Sequence, residues 1–181
     1  MAIEIREHVP GKDLNDFLRV PFIVFEGDPN WVPPLEMDVR ERLTPGKSPF
    51  FERGELALFT AWKDGRLVGR VSAQLDHEHL RRYQDKTGFF GFFDTVDDEA
   101  VGRALIDAAA AWLARRGMQR MRGPLSLHMY EEAGLLVDGF DTPPVMLMAH
   151  SRDWQDRIAK SAGLEKAKDL FAWRFDVGHI P

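Results

Sequence analysis

The sequence predicts an α/β fold in which a mixed sheet is flanked by helices, and two stretches carry this prediction. Two β-rich runs, Glu55–Trp62 and Arg66–Leu75, flank Lys63-Asp64-Gly65, and an Asp-Gly pair between such runs is typical of a β-hairpin. Further along, an aromatic strand at Gly88–Asp94 precedes a long amphipathic helix that should end at Gly117. The hairpin is antiparallel, whereas strand–helix–strand units favour parallel pairing, so the sheet should be mixed.

The first third of the chain predicts one strand and two helices. Alternating apolar and polar residues indicate an opening strand at Ala2–Val9. Helical spacing follows at Lys12–Phe25, where Pro21 should break or kink the helix, because a proline removes one helical hydrogen bond. A second, short helix is predicted at Leu35–Leu43, and turn-rich loops join these elements.

The aromatic strand and the long helix after it form the centre of the predicted fold. Phenylalanines occupy both faces of the strand, which predicts that both faces of the sheet are covered. The helix should bury one face, formed by Val101, Leu105, Ala108, Trp112 and Leu113. Thr95 with Asp98 three residues later fits a capping box, and Asp97 is an alternative N-cap. A strand, a turn and a helix N-terminus can direct free backbone N–H groups at a ligand phosphate.

Beyond this helix the sequence predicts a fifth strand, an insert and a final helix–strand pair. The strand is Arg120–Leu127, in which Gly123-Pro124 favours an edge, a bulge or a splay away from the neighbouring strand. The insert His128–His150 combines acidic residues with glycine turns and an apolar end. An amphipathic helix at Ser151–Ala162 and a strand at Asp169–Val177 follow.

Composition favours one globular domain spanning residues 1–181 and argues against several classes of function. The hydrophobic fraction of 44% and the charged fraction of 29% are ordinary for such a domain. A net charge of −5 with scattered Lys and Arg argues against nucleic-acid binding. The chain contains no cysteine, which excludes disulfides and thiolate chemistry. No apolar run is long enough to span a membrane and the N-terminus is unlike a signal peptide, so the expected location is the cytoplasm.

One segment after the long helix has a specific pattern. Gly123-Pro124, Glu131-Glu132 and Gly134–Pro144 together read GP…EE.GLLVDGFD.PP, and Lys166–Trp173 adds a second similar stretch. With the order of elements, this resembles the GNAT superfamily of acyl-CoA N-acyltransferases, in particular the N-terminal half of longer bacterial GNAT-like proteins. The resemblance implies a mixed, mostly antiparallel sheet with a central strand–helix turn for coenzyme A. It also implies an acyl-CoA co-substrate and no metal.

The same resemblance implies a set of cofactor contacts. In GNAT enzymes a Gln/Arg-x-x-Gly-x-Gly/Ala turn before the long helix holds the pyrophosphate of coenzyme A. The matching window here is Glu99–Ala104, in which Gly102 and Ala104 fit the pattern and Glu99 departs from it. The implied cofactor-binding residues are Phe93, Asp94, Thr95, Val101, Gly102, Arg103 and Ala104.

Acidic residues crowd this predicted pyrophosphate site. Asp97, Asp98 and Glu99 place three carboxylates at a helix N-terminus, where they favour the helix dipole but repel an anion. One such repulsion at surface dielectric is on the order of 1 kcal/mol, and Arg103 would offset part of it. The alternative interpretation is that these acids simply cap a helix that packs on the sheet.

Acyl transfer needs a group that deprotonates an amine, and the candidates follow the fifth strand. Glu131 and Glu132 lie beside an apolar segment that would raise a carboxyl pKa, and because adjacent side chains point to different faces at most one of them should serve. The alternative interpretation is that both are solvated loop carboxylates. Tyr130 and His128 are further hydrogen-bonding groups. The tyrosine that many GNAT enzymes use to protonate the departing thiolate would fall near Ala159, so this role has no assigned residue.

Two functions therefore remain open from the sequence. The first is an acyl-CoA-dependent N-acyltransferase acting on a small-molecule or lipid-type amine. The second is a degenerate, non-catalytic GNAT-like domain that acts with a partner or a second domain. GNAT sheets usually finish with one strand more than this sequence predicts, and an open sheet edge favours a homodimer. The stretch Asp76-His77-Glu78-His79 has metal-ligand residue types, but a solvated strand end is the better interpretation.

Overall fold

Five strands form a single sheet in the computed structural model, which describes residues 2–173 and residue 178. The strands, in spatial order, are β1 (Ile3–His8), β2 (Gly54–Lys63), β3 (Arg66–Asp76), β4 (Thr87–Thr95) and β5 (Arg120–Arg122). Neighbours from β1 to β4 are antiparallel, and β5 pairs with β4 in parallel. The predicted α/β fold with a mixed, mostly antiparallel sheet is confirmed.

Helices cover both faces of this sheet. The helices are α1 (Asn15–Val24), α2 (Glu36–Arg42), α3 (His77–Tyr83), α4 (Glu99–Ala114) and α5 (Trp154–Ser161), and a 3₁₀ helix (Pro49–Glu52) precedes β2. One core cluster joins α4 and α5 to the sheet face that carries Phe90 and Phe93. A second cluster joins α1 and α2 to the face that carries Phe92. The aromatic residues of β4 thus contribute to both cores, as predicted. Strict alternation would put Phe90 and Phe92 on the same face, and a bulge at Phe92 changes this order so that Phe93 joins Phe90.

The start of α4 differs from the predicted cap. Asp98 is the N-cap, and its Oδ1 accepts hydrogen bonds from the backbone N–H groups of Ala100 at 3.0 Å and Val101 at 3.4 Å. The prediction that Thr95 or Asp97 caps the helix is wrong. Thr95 is the last residue of β4, so the turn runs later in the sequence and leaves the carboxylate of Asp98 beside the first free N–H groups.

The predicted break at Pro21 is absent, and a helix that was not predicted follows β3. Helix α1 continues through Pro21 to Val24, because the carbonyl that the proline leaves free accepts a hydrogen bond from outside the helix. The polar connection after β3 contains α3, which begins where the carboxylate of Asp76 accepts from the N–H groups of Glu78 and His79. An aspartate at a strand end followed by helix-forming residues was the available signal.

The fifth strand is shorter than predicted and separates from β4. Only Arg120–Arg122 pairs with β4, and the cis peptide bond Gly123-Pro124 follows. The chain then crosses β4 at Gly91, where a Cβ atom would lie 1.9 Å from the carbonyl oxygen of Leu125. The predicted splay after this proline is therefore present. Of the predicted last strand, Asp169–Val177, residues 169–173 form no strand and the remainder lies outside the described residues.

Candidate functional site

A β-bulge shapes the centre of β4. Between Gly91 and Asp94 the strand has one residue more than β3 has between Arg70 and Ser72, and Phe92 adopts a positive φ of +46°. Such a bulge bends a strand and redirects its side chains. Because β5 pairs only with the first part of β4, the bulged part has no neighbouring strand on that side among residues 2–173. This arrangement opens a cleft beside the bulge.

The cleft lies between the bulge and the segment that follows β5. It is lined by Phe92, Phe93, Asp94, Pro124, Ser126, Glu132, Gly134, Leu135, Ala149, His150 and Ser151. Its volume of about 40 Å³ holds only a few water molecules. The cleft is much smaller than a pocket that encloses a whole cofactor, but it brings two acids and a histidine together beside apolar side chains.

Glu132 is the predicted catalytic residue that lies in this cleft. Burial raises the pKa of its carboxyl above the ordinary value of 4.5, and the nearby charges of Asp94 and Glu131 act in the same direction. The guanidinium groups of Arg42 and Arg70 oppose this rise without cancelling it. A perturbed carboxyl in a cleft is a candidate for proton transfer.

The other two predicted catalytic residues lie elsewhere. Glu131 is held by an ion pair from Arg42 Nη2 to its Oε2 at 2.6 Å. The side chain of Tyr130 is 78% exposed and stacks on the ring of His128. The expectation that at most one of the two adjacent glutamates faces the cleft agrees with this geometry.

An ion pair lies beneath the cleft. Arg70 Nε donates to Asp94 Oδ2 at 2.7 Å, and both side chains are nearly buried. The guanidinium of Arg70 also lies over the ring of Phe92, 5.4 Å from its centroid. Asp94, a predicted cofactor contact, is therefore occupied by a cation from β3.

The predicted pyrophosphate window at the start of α4 is covered by the protein itself. Val101 is buried, and its N–H group donates to Asp98. Gly102 lies so close to α5 that a Cβ atom would be 2.0 Å from Cγ2 of Ile158. Ala104 is half-buried. An anion at this helix end would therefore compete with an existing cap.

Charges around the same helix end are also paired. Arg157 on α5 forms ion pairs with Asp97 and Glu99, and all three side chains are more than half exposed. Arg103 is exposed and donates to the backbone carbonyl of Ser161. Two of the three predicted acids are thus neutralised by a residue that sequence reasoning did not single out.

Two side chains of α5 cover the far end of β4. Gln155 Nε2 donates to the backbone carbonyl of Phe93 at 2.6 Å, and Trp154 Nε1 donates to that of Thr95 at 2.9 Å. Gln155 is fully buried. Phe93 and Thr95 are both predicted cofactor contacts, and their carbonyl groups are satisfied by these bonds.

A histidine that the sequence did not single out also lines the cleft. His150 Nε2 lies 2.9 Å from Asp28 Oδ2, and Arg152 Nη1 lies 3.3 Å from the same oxygen. Burial alone would raise the pKa of Asp28, but hydrogen bonds from His150, the backbone of Asn30 and Arg152 outweigh it and hold the pKa below its usual range. Asp28 and His150 are 122 residues apart, so no motif could reveal the pair.

The architecture defines the class of this chain, which has the fold of the GNAT acetyltransferases. It superposes on an aminoglycoside acetyltransferase from an uncultured soil metagenomic sample with a TM-score of 0.57 and 14% identity, covering 96% of this chain and 97% of that one. The aminoglycoside acetyltransferase AAC(6')-Iy, in complex with a bisubstrate analogue containing coenzyme A, gives a TM-score of 0.56 and 15% identity, covering 97% of this chain and 99% of that one. The predicted resemblance to the GNAT superfamily is confirmed in the fold.

Two proteins are more similar to this chain in sequence than the structural neighbours are. The chain is 40% identical over 169 residues to Protein YghO of Escherichia coli, which covers 93% of this chain and 43% of that protein. It is 42% identical over 171 residues to the bacterial ceramide synthase of Caulobacter vibrioides, covering 93% of this chain and 44% of that protein. The chain thus spans less than half the length of these relatives. No protein-family model matches it.

The described residues meet neither the requirements of a metal site nor those of a membrane-spanning helix. Among the described residues, no group of three or more His, Cys, Asp or Glu side chains is placed to hold a metal ion. None of the helices within residues 2–173 combines the length and apolar character that crossing a bilayer requires.

Proposed function

We propose that this chain is part of an acyl-CoA-dependent N-acyltransferase, which transfers an acyl group from a coenzyme A thioester to an amine. The observation that carries the proposal is the cleft beside the β4 bulge, where the perturbed carboxyl of Glu132 lies next to a strand edge that no strand of the described residues covers. Acyl transfer needs a proton-exchanging group and a backbone N–H group that polarises the thioester carbonyl, and a strand edge is a common source of the second.

The acyl-CoA would lie along the bulged part of β4. Its thioester would reach Phe93 and Asp94, and its pyrophosphate would lie near Arg103 at the start of α4. For this the phosphate must compete with the carboxylate of Asp98 for the first N–H groups of α4, and the exposed ion pairs of Arg157 with Asp97 and Glu99 must open. Exposed ion pairs contribute about 0–1 kcal/mol each, so opening the two pairs of Arg157 costs little compared with the binding of a charged ligand.

Proton transfer in this proposal belongs to Glu132. Burial raises the pKa of its carboxyl above the ordinary value, which is the direction that a proton-exchanging carboxyl requires. Glu131 positions Arg42 beside it, and Tyr130 on the exposed side of the loop would contact the acceptor.

A lipid-type amine is the acceptor that we favour. The Caulobacter relative is named a bacterial ceramide synthase, and ceramides are N-acylated long-chain amines. Exposed apolar side chains are also concentrated after β5, at Met129, Tyr130, Val137, Val145, Met146, Leu147 and Met148. Such an apolar surface suits a lipid better than a polar amine. The cytoplasm, where acyl-CoA is made and used, is the location consistent with this proposal.

A second candidate function is a non-catalytic GNAT-like module of a longer protein. The observation that favours it is the closed start of α4, where Asp98 takes the N–H groups and Ile158 packs on Gly102. In that case another part of the protein would bind the acyl-CoA. The three-residue β5 would then be the edge that a second copy or a further domain extends. Light scattering of the chain tests the homodimer, because a strict monomer contradicts pairing between copies.

Calorimetric titration with acetyl-CoA and with palmitoyl-CoA separates the two functions. We expect saturable binding that weakens about tenfold in Arg103→Ala and strengthens a few-fold in Asp97→Asn, since each change alters one charge near the pyrophosphate. Arg115→Ala, at the opposite end of α4, is the matched control and should bind as the unaltered chain does. Flat isotherms with both thioesters would leave the non-catalytic module.

A further inference from the structure

His150 is the second acid–base group of the cleft, and its surroundings are unusual. Its side chain is only 5% exposed, and it lines the cleft together with Glu132. Nε2 is bonded to Asp28, but Nδ1 is buried without a hydrogen-bond partner in the described part of the chain. Buried polar atoms are nearly always paired, so an unpaired ring nitrogen beside a cleft indicates a place for a ligand.

The partners of His150 determine which ring nitrogen carries the proton. Asp28 is held by the backbone N–H of Asn30 at 3.0 Å and by Arg152, and its lowered pKa keeps it ionised at neutral pH. An ionised carboxylate only accepts hydrogen bonds, so Nε2 of the neutral imidazole must be the donor. Nδ1 then carries the free lone pair.

We propose that His150 is the general base of the acyl transfer, taking a proton from the acceptor ammonium on Nδ1 while Asp28 stabilises the imidazolium that forms. This inference rests on the proposed function and deepens it by assigning the first proton transfer. A carboxylate that orients a histidine and stabilises its charged form is a recurrent arrangement in enzymes.

The reaction balances with the groups present. The ammonium gives one proton to Nδ1, and the neutral amine nitrogen attacks the thioester carbonyl carbon, forming the C–N bond. The C–S bond then breaks, and the thiolate takes the proton that Glu132 carries. The amide nitrogen returns its second proton to Glu132, and the imidazolium of His150 releases its proton to water. The products are the amide and free coenzyme A.

The charges around the two residues favour this division of roles. Asp28 contacts His150 directly, Arg152 pairs with that same carboxylate, and Glu132 and Asp94 line the same cleft as His150. The buried carboxyl of Glu132 retains its proton to higher pH than an ordinary glutamate, whereas the ring of His150 presents a lone pair. A pair of titratable groups, one that holds a proton and one that accepts a proton, is typical of acid–base catalysis.

The tautomer of His150 is a direct test that needs no activity. Two-bond proton–nitrogen correlation spectra of the ¹⁵N-labelled chain should show His150 protonated on Nε2 and unprotonated on Nδ1 at neutral pH. Asp28→Asn should remove this preference. A proton on Nδ1 in the unaltered chain would overturn the inference, whatever the enzyme assays show.

Kinetics of matched histidine variants provide the second test. The probes are palmitoyl-CoA with sphinganine and acetyl-CoA with neamine, and released coenzyme A is read with a thiol reagent, which the cysteine-free chain does not consume. His150→Gln keeps a donor to Asp28 but removes the base, so kcat should fall about 100-fold or more while acyl-CoA affinity stays within about twofold. His77→Gln, at a half-exposed histidine on α3, is the control and should leave kcat unchanged.

The outcomes separate this inference from the proposed function. Turnover by the unaltered chain that persists within about threefold in His150→Gln overturns the role of His150 and leaves the acyltransferase proposal standing. Loss of acyl-CoA affinity and turnover together in that variant shows a structural role and also overturns it. An unaltered chain that binds neither thioester overturns the proposed function, and the catalytic role of His150 with it.

Discussion

Nη1 of Arg70 donates a hydrogen bond to the backbone carbonyl of Phe17 at 3.2 Å. This carbonyl lies four residues before Pro21, whose ring nitrogen has no hydrogen, so helix α1 leaves it without its usual partner. The same guanidinium pairs with Asp94 and lies over the rings of Phe17 and Phe92. One side chain of β3 therefore joins α1 to the bulge of β4, directly beneath the cleft.

Arg70→Met should lower the free energy of unfolding by about 3–5 kcal/mol. The substitution leaves the carboxylate of Asp94 buried without its cation, which is the costly way to break such a pair. Adding Asp94→Asn removes the stranded charge and should recover part of the loss. Urea unfolding measures both, with the exposed Arg66→Met as the control, which should change stability by less than about 0.5 kcal/mol. A loss below about 1 kcal/mol for Arg70→Met would contradict this account.

Stability should depend on pH through Glu132. Because the pKa of this carboxyl is higher in the folded than in the unfolded chain, the folded state holds more protons between the two values. The contribution of Glu132 to stability is therefore complete below pH 4.5 and is lost as the pH rises through its folded pKa. Glu132→Gln should flatten this decline, and Glu131→Gln should preserve it. Urea unfolding at several pH values checks this, and parallel profiles for the unaltered chain and Glu132→Gln would refute it.

Gly102 should be a contact position between helices rather than a flexible one. In Gly102→Ala the new Cβ would meet Ile158 at 2.0 Å and push α4 from α5, which should cost about 1–3 kcal/mol. In the background of Ile158→Ala the clash disappears, and the same change should be neutral or stabilising by up to about 1 kcal/mol, because alanine is the better helix former. A double-mutant cycle measures this coupling by denaturation. An equal cost of Gly102→Ala in both backgrounds would show that the two residues are not coupled.

Elements that depend on neighbouring residues were predictable from the sequence. The hairpin follows from two alternating runs and from Asp64 and Gly65, whose φ values of +51° and +74° fit the turn between them. The long helix follows from its apolar face, of which Val101, Leu105 and Trp112 are buried. Such patterns predict secondary structure from residues close together in the chain, and the folded protein keeps these elements.

Predictions failed where a distant contact changes the local outcome. Pro21 should interrupt its helix by local rules, but Arg70 supplies the missing hydrogen-bond donor from β3. The predicted fifth strand stops at Arg122, because the following chain crosses β4 at Gly91 and forms the wall of the cleft. Neither contact leaves a local signal in the sequence.

The sequence by itself determined the elements of the sheet, the long helix and the resemblance to the GNAT fold, because alternation, helical spacing and turn chemistry are set by residues close together in the chain. It also indicated Glu132, as one of two adjacent acids beside an apolar segment. Only the tertiary structure decided which acid faces the cleft, and it alone brought Asp28 to His150. The physical reason is that burial and pairing of charge depend on residues more than a hundred positions apart, which only the packed fold makes neighbours.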